Sequence, residues 1–449
     1  MEVPVMVGDV VKGEIVDISH EGGGIVKVNN FTIFLDMGLI GDIVKFKVTK
    51  LKKSYGMGKV LDIIKSSNYR IKPKCNVSNR CGGCQFQSFD YKAQLEWKRE
   101  KVKNDLAKIA GLKGIKVNDT IGMDSPYRYR NNVQIPVVIS KSKPLIGFYE
   151  RGSYKIVDME TCILQGETGD KIIRILKEFI NKYNITAIRH LGIRTNKDNE
   201  VMVILVTQFR QLPYSNELIN MIIKKCPNVV SIYQNINRRK GPVVYGDKFI
   251  KLYGKEKIID YIGDLKFNIS PNSFFQVNSI QTEVLYKKAI ELLRLSGDET
   301  VFDLYCGIGT ISLFLSKQAK IVYGIEVVKE AILDARENAK LNKVDNVEFI
   351  HGTSEEVFPR LVEKGIKADK LVLDPPRKGC DQKVLDTIIE IKPQTVVYVS
   401  CNPSTLARDV GYLVEKGYAV EEVQPVDMFP WTGHVESTIL MTYCGSKEK

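Results

Sequence analysis

Asp303-Leu304-Tyr305-Cys306-Gly307-Ile308-Gly309 begins in the last residues of an apolar strand, Thr300 to Leu304, and its glycines let the backbone turn tightly and approach a ligand. The same alternation continues on either side. Further strands are expected at Ile321 to Ile325, Val347 to Ile350, Lys370 to Leu373, Thr395 to Val399, Ala419 to Val426 and Ser437 to Tyr443. Helices lie between them, most plainly Val328 to Leu341. Such alternation predicts a doubly wound, Rossmann-like α/β sheet with ligands at the carboxyl ends of its strands.

The loop departs from the dinucleotide pattern G-x-G-x-x-G, but Glu326 stands 23 positions after Asp303, ending the next strand where ribose hydroxyls are commonly held. Loop and acid together point to S-adenosylmethionine; the loop alone is also what closes an ordinary α/β unit. Asp374-Pro375-Pro376-Arg377 follows another strand, and its two prolines stiffen the turn. Amino-group methyltransferases carry an aromatic residue after the prolines, whereas this chain has Arg377, which favours a carbon target over an exocyclic amine.

A carbon target needs covalent help. Carbon 5 of a pyrimidine becomes nucleophilic only when a thiolate adds to carbon 6, and Cys401, in Val399-Ser400-Cys401-Asn402-Pro403, is placed for that role. The proton on carbon 5 must then be removed, and Gly433-His434-Val435-Glu436-Ser437 offers Glu436 as base, with His434 as its rival. The bland alternatives are a buried thiol ending a strand and a histidine bonded in a turn.

Outside that half, the 449 residues exceed one core, so several domains are expected. Residues 1 to 65 read as short strands, Val10 to Val16, Gly24 to Val28, Phe31 to Leu35 and Val44 to Val48, which suggests a small OB-like β-barrel. Seven lysines and one acid, Asp62, lie from Lys45 to Lys65, suiting a phosphate backbone or a guarded sheet edge. Residues 66 to 268 read as an α+β domain with helices at Tyr91 to Gly111 and Asp170 to Lys182 and apolar runs at Val133 to Ile139, Val201 to Val206 and Val229 to Asn235. Tyr127-Arg128-Tyr129-Arg130-Asn131 and Asn237-Arg238-Arg239-Lys240 mix bases with polar or aromatic groups in the manner of RNA contacts or of surface turns. The net charge of +13 favours a polyanionic partner.

Cys75, Cys81 and Cys84 form C-x5-C-G-G-C, and Cys162 follows downstream; four thiolates can hold zinc or an iron–sulfur cluster. No apolar run approaches the about 18 residues of a membrane span, and the start lacks a signal-like layout, so a cytoplasmic protein without a membrane or an obligate protein partner is expected.

Ser270-Pro271-Asn272-Ser273-Phe274-Phe275-Gln276-Val277-Asn278, the glycine loop, Asp374-Pro375-Pro376-Arg377, Ser400 to Asp409 and Gly433 to Ser437 together resemble the RNA uracil-5-methyltransferase family. The barrel is similar to a TRAM domain, and the four cysteines resemble the [4Fe–4S] pattern of the branch acting on large-subunit ribosomal RNA. The resemblance implies Cys401 as nucleophile and Glu436 as base. It implies Gln276, Tyr305, Glu326 and Asp374 as contacts to S-adenosylmethionine or the adjoining substrate, and Cys75, Cys81, Cys84 and Cys162 as cluster ligands. The pattern breaks at Thr310 and Thr353, where members of the family carry Asn. Three units are therefore expected: a barrel over 1–65, a central domain over 66–268 and a methyltransferase domain over 269–449. The implied reaction is methylation of uridine carbon 5, in 23S ribosomal RNA first and transfer RNA second. Cytosine carbon 5 methylation and an RNA-binding or ribosome-assembly protein with a decayed cofactor pocket are the rival readings.

Overall fold

The computed structural model describes residues 3–19, 21–140, 143–239 and 241–445; Lys240 of the basic turn lies outside them. The chain opens with a closed five-stranded barrel, β1 (Val10–Ile18), β2 (Gly24–Val28), β3 (Phe31–Leu35), β4 (Ile43–Leu51) and β5 (Tyr55–Lys65), ordered β1-β2-β3-β5-β4. Alternation sends Ile15, Val26, Ile33, Val44, Phe46 and Val48 inward and leaves Lys45 and Lys47 outside. The sequence reading lacks β5. Its two buried positions are Gly56 and Gly58, and a Cβ at Gly58 would stand 2.8 Å from Leu35, so close packing there removes the apolar alternation that marks a strand.

Helix α1 (Tyr91–Ile109) is capped by Asp90, whose side chain accepts from the Ala93 amide. It buries Val102 and Leu106 in one cluster with Leu406, Ala407 and Val410, three hundred residues on, each burial stabilising by about 1.5–3 kcal/mol. The fully buried Lys98 Nζ lies 2.5 Å from Asp427 Oδ1 and 3.2 Å from the Phe429 carbonyl, while the Tyr91 hydroxyl donates to Asp427 Oδ2 at 2.9 Å. Burial pulls the Lys98 ammonium below its usual range, and Asp427 pulls it back.

The central sheet runs β11-β10-β9-β8-β6-β7, from β6 (Asn132–Ser140), β7 (Lys143–Ile146), β8 (Ile188–Thr195), β9 (Val201–Thr207), β10 (Val229–Ile236) and β11 (Lys248–Gly254). Helices α2 (Glu167–Tyr183) and α3 (Ser215–Lys225) cover one face. Every residue of β9 is buried: Val203 and Leu205 face α2 and α3, whereas Met202, Ile204 and Val206 join the core of the C-terminal half. A hairpin, β12 (Ile258–Ile262) and β13 (Leu265–Ile269), leads into that half.

There a seven-stranded sheet is ordered β16-β15-β14-β17-β18-β20-β19, from β14 (Thr300–Leu304), β15 (Ile321–Glu326), β16 (Val347–His351), β17 (Lys370–Leu373), β18 (Thr395–Ser400), β19 (Tyr418–Val426) and β20 (Glu436–Tyr443). The first five are parallel and the last two pair antiparallel. Helices α4 (Ser279–Leu293), α5 (Thr310–Leu315) and α6 (Lys329–Leu341) cover one face, and α7 (Ser354–Glu363), α8 (Gln382–Ile391) and α9 (Pro403–Glu415) cover the other beside α1. Strand order reverses between β14 and β17, which opens a crevice at their carboxyl ends. The doubly wound reading and the N-terminal barrel are thus both present. Among the described residues no helix is long and apolar enough to cross a membrane.

Lys98→Met leaves the buried Asp427 facing only the Tyr91 hydroxyl and the Phe429 amide. The unfolding free energy should fall by about 3–5 kcal/mol, read as a lower denaturation midpoint, and Lys98→Met with Asp427→Leu should recover much of it. An unchanged midpoint in the single variant contradicts the assignment.

Candidate active site

The crevice between β14 and β17 collects the motifs. Tyr305 follows β14 with φ +70°, and Gly307 and Gly309 follow at +56° and +80°. Glu326, last in β15, accepts from the Gly307 amide at 3.2 Å and the Val328 amide at 2.8 Å, so it braces the loop it was paired with in sequence. A Cβ at Gly309 would stand 2.6 Å from Phe349, which leaves that position to glycine.

Asp303 is fully buried beneath the loop and accepts from the Ser312 hydroxyl at 2.5 Å. Desolvation, with Asp374 and Glu326 adding repulsion, pushes its carboxyl up to about 7. Asp374, half-buried at the end of β17, is pushed up to about 7 by desolvation. Gln276 lies in the segment before α4; its carbonyl accepts from Asn131 at 2.9 Å, and its side chain lies beside the Tyr286 hydroxyl. That hydroxyl also meets Thr310 Oγ1 at 3.1 Å and stands near Asp374 and Asp303. Gln276, Glu326 and Asp374 therefore surround one acidic space. Tyr305 borders it, but its hydroxyl turns toward Cys380 on the sheet's other face. Tyr286 and Asp303 are the residues that motif reading passes over: one sits at a core position of α4, and the other reads as the loop's first letter.

Cys401 and Glu436 meet through sheet register. Ser400 of β18 pairs with Ser437 of β20, so the next residues outward, Cys401 and Glu436, face one another at the sheet's end. The half-buried Cys401 thiol is pushed up to about 11 by desolvation and by Glu436 and Asp374, while Arg377 lowers it by charge and hydrogen bonding. Glu436, 6% exposed, is pushed up to about 8 by desolvation and Asp374, against Arg377. The His434 ring stands edge-on to Phe429 at 6.0 Å. Thiol, carboxyl, guanidinium and acidic space thus adjoin, whereas a surface groove lined by Asp298, Glu299 and Lys367 lies at the strands' opposite ends.

Behind Glu436 the chain turns at Trp431, with φ +69°, whose indole donates to the Pro126 carbonyl at 2.7 Å and stacks on Tyr127 at 5.2 Å. Lys74 lies over the other ring, 4.4 Å from the Tyr127 centroid. In the basic and aromatic run, Tyr129 is buried and donates to Pro430, and Arg128 donates to the Cys162 and Gln165 carbonyls and to Asp170. Burial removes Tyr129 from RNA stacking, whereas Arg128 is tied through one nitrogen and keeps an exposed guanidinium.

Cys84 and Cys162 pack against the same cluster, that of Tyr129 and Trp431. The four thiols sense one another: burial pushes Cys84 up to about 12, and Cys162, Cys81 and Cys75 add repulsion, while Cys75 also raises Cys81 and Cys162. Four cysteine sulfurs are the donor set that a thiolate-bound group requires. Among the described residues, however, no three His, Cys, Asp or Glu side chains come together as a ready site for a single metal ion.

Residues 262–444 match the family model described as tRNA (Uracil-5-)-methyltransferase, and residues 4–61 match the TRAM domain. An RNA methyltransferase of Clostridium tetani is 50% identical, the match spanning 100% of this chain and 99% of that one. Another from Halalkalibacterium halodurans is 47% identical over 98% of each. The crystal structure of Pyrococcus abyssi tRNA (uracil-54, C5)-methyltransferase in complex with S-adenosyl-L-homocysteine superposes with a TM-score of 0.78 at 31% identity, over 96% of this chain and 100% of that one.

Above pH 8, where Glu436 has shed its proton, Glu436→Gln should speed alkylation of Cys401 by iodoacetamide and Arg377→Ala should slow it. A one-unit change in thiol pKa corresponds to about 10-fold in thiolate, and peptide mass spectrometry isolates the Cys401 signal. The opposite order contradicts the arrangement.

Proposed function

The chain belongs to the RNA uracil-5-methyltransferase family and is an S-adenosylmethionine-dependent RNA methyltransferase; from that premise we propose that it methylates carbon 5 of one uridine through a covalent bond to Cys401. The observation that carries this reading is the β18–β20 register, which sets the Cys401 thiol against the Glu436 carboxyl beside the acidic crevice.

In this reading the Cys401 thiol loses its proton to solvent, the thiolate bonds to carbon 6, and the ring's double-bond pair moves onto carbon 5 and the 4-oxygen. When bound, S-adenosylmethionine supplies an electrophilic methyl group whose bond to sulfur breaks as carbon 5 takes it, leaving S-adenosylhomocysteine. Glu436 then takes the proton from carbon 5, the double bond reforms and the Cys401 sulfur departs. Gln276, Glu326 and Asp374 hold the methyl donor, with Tyr305 at the border of its site. Flipping the uridine costs a few kcal/mol, and fixing the reactants side by side offsets about 7–11 kcal/mol of barrier.

The barrel of 1–65 and the central domain of 66–268 present the RNA to the site in 269–449. Large-subunit ribosomal RNA is the proposed substrate, supported by the likeness of the four cysteines to that branch. The Pyrococcus abyssi relative, a tRNA (uracil-54, C5)-methyltransferase, favours transfer RNA as the second reading. Mapping 5-methyluridine in both RNAs, with and without the gene, decides between them, and 5-methylcytidine in its place overturns the uridine assignment. A [4Fe–4S] cluster on Cys75, Cys81, Cys84 and Cys162 would order the central domain. Iron near four per chain in protein purified without oxygen is expected; stoichiometric zinc contradicts it.

Cys401→Ala should abolish turnover while RNA binding survives, and Glu436→Gln should accumulate a denaturation-resistant protein–RNA complex. Absence of that complex counts against Glu436 as the base. Because Glu436 must be charged to act, single-turnover methylation should climb as the pH is raised through about 8; a rate that falls across this range contradicts the assignment.

A further inference from the structure

Arg377 is the charge that favours the thiolate of Cys401, yet it rides on an exposed loop between β17 and α8. That loop is gripped by the first two turns of α9. Asn402 Nδ2 donates to the Arg377 carbonyl at 2.9 Å, and the Thr405 hydroxyl donates to the same oxygen at 3.2 Å. Arg408 donates to the Lys378 carbonyl at 3.0 Å. Asp409, 1% exposed, closes the grip: it accepts from the Cys380 amide at 2.9 Å, from Arg408 Nε at 2.7 Å and from the Tyr398 hydroxyl at 2.6 Å. Tyr398 belongs to β18, three residues before Cys401. Gly379, at φ +83°, lets the loop pass so near that a Cβ there would stand 2.5 Å from both Arg408 and Asp409.

One buried carboxyl group therefore ties the loop carrying Asp374 and Arg377 to the strand that leads into Cys401. We infer that Asp409 is a positioning residue for methyl transfer: with Arg408 it holds the 374–380 loop at a fixed distance from β18, so that the Arg377 guanidinium stays against the Cys401 sulfur. Asp409 lies behind the site, where it bonds Arg408, Tyr398 and the Cys380 amide and is not among the groups that face the Cys401 thiol. The groups that face the thiol itself are Glu436, Asp374 and Arg377. The inference rests on Cys401 being the nucleophile only for its effect on turnover; its effect on the thiol is separate.

The test measures the pH dependence of Cys401 alkylation by iodoacetamide in full-length protein, without RNA or methyl donor, for wild type, Asp409→Asn, Arg377→Ala and the double variant. Asp409→Asn should slow alkylation about 10-fold near neutral pH, as an upward shift of the thiol by one unit requires, and should add nothing once Arg377 is gone. In the methylation assay its kcat should fall about 100-fold, with the KM for S-adenosylmethionine little changed. Should Asp409→Asn not fold, Arg408→Gln, on a half-exposed side chain, removes the Lys378 bond and one arm of the Asp409 contact and should give the same profile in weaker form. A wild-type alkylation profile in a folded Asp409→Asn protein, or an equal slowing in the Arg377→Ala background, overturns the inference. A shifted profile together with full turnover in Cys401→Ala would keep the clamp and sink the nucleophile assignment instead.

Discussion

The antiparallel register of β18 on β20 is the constraint on which the rest depends. Ser400 opposite Ser437 brings the chain's last strand back against its fifth parallel one, and with it Glu436 against Cys401. Side chains alternate along a strand, so a slip of one residue would turn one of the two groups to the other face of the sheet. The register is held by burial: Val397 and Val399 face one core, Val396, Tyr398, Ile439 and Met441 the other, and both faces are covered by helices. A chemical pair is thus fixed by apolar packing on two sides, far from any catalytic need.

Electrostatics gives the crevice its character. Asp303, Asp374 and Glu436 are all held above the ordinary carboxyl range by desolvation, with Asp374 adding repulsion on the other two, and the Cys401 thiol is raised with them. A space lined in this way favours a cation, and a sulfonium carries the positive charge that its thioether product lacks. Arg377 is the counterweight on the nucleophile's side, and its loop is secured by α9. Helix α1 and the buried Lys98–Asp427 contact anchor the segment that turns at Trp431 toward Glu436, which couples the central domain's entry to the same few residues.

Much of this is legible in the sequence. Strands that are covered on both faces read as continuous apolar runs, so the C-terminal sheet announced itself, and the glycine loop, the paired prolines and the cysteine marked its carboxyl ends. What stayed hidden had physical causes. Strand β5 turns glycines inward and shows no apolar alternation. The spacing of α1 predicts a helix but not that it docks on α9, because the whole six-stranded sheet lies between the partners in sequence. Lys98 and Asp427 lie 329 positions apart, and no local pattern pairs them. Tyr286 occupies a core position of α4 and has no motif, although its hydroxyl meets Gln276 at the acidic space.

The central claim is that sulfur bonds to the pyrimidine before carbon 5 accepts the methyl group. Fluorine at carbon 5 cannot leave as a proton, so RNA carrying 5-fluorouridine at the target should halt the cycle after transfer. Mass spectrometry of the digested complex should find the Cys401 peptide joined to a methylated, fluorinated, ring-saturated uridine. Methylation of ordinary RNA with no such adduct, or an adduct on a different side chain, would contradict the account.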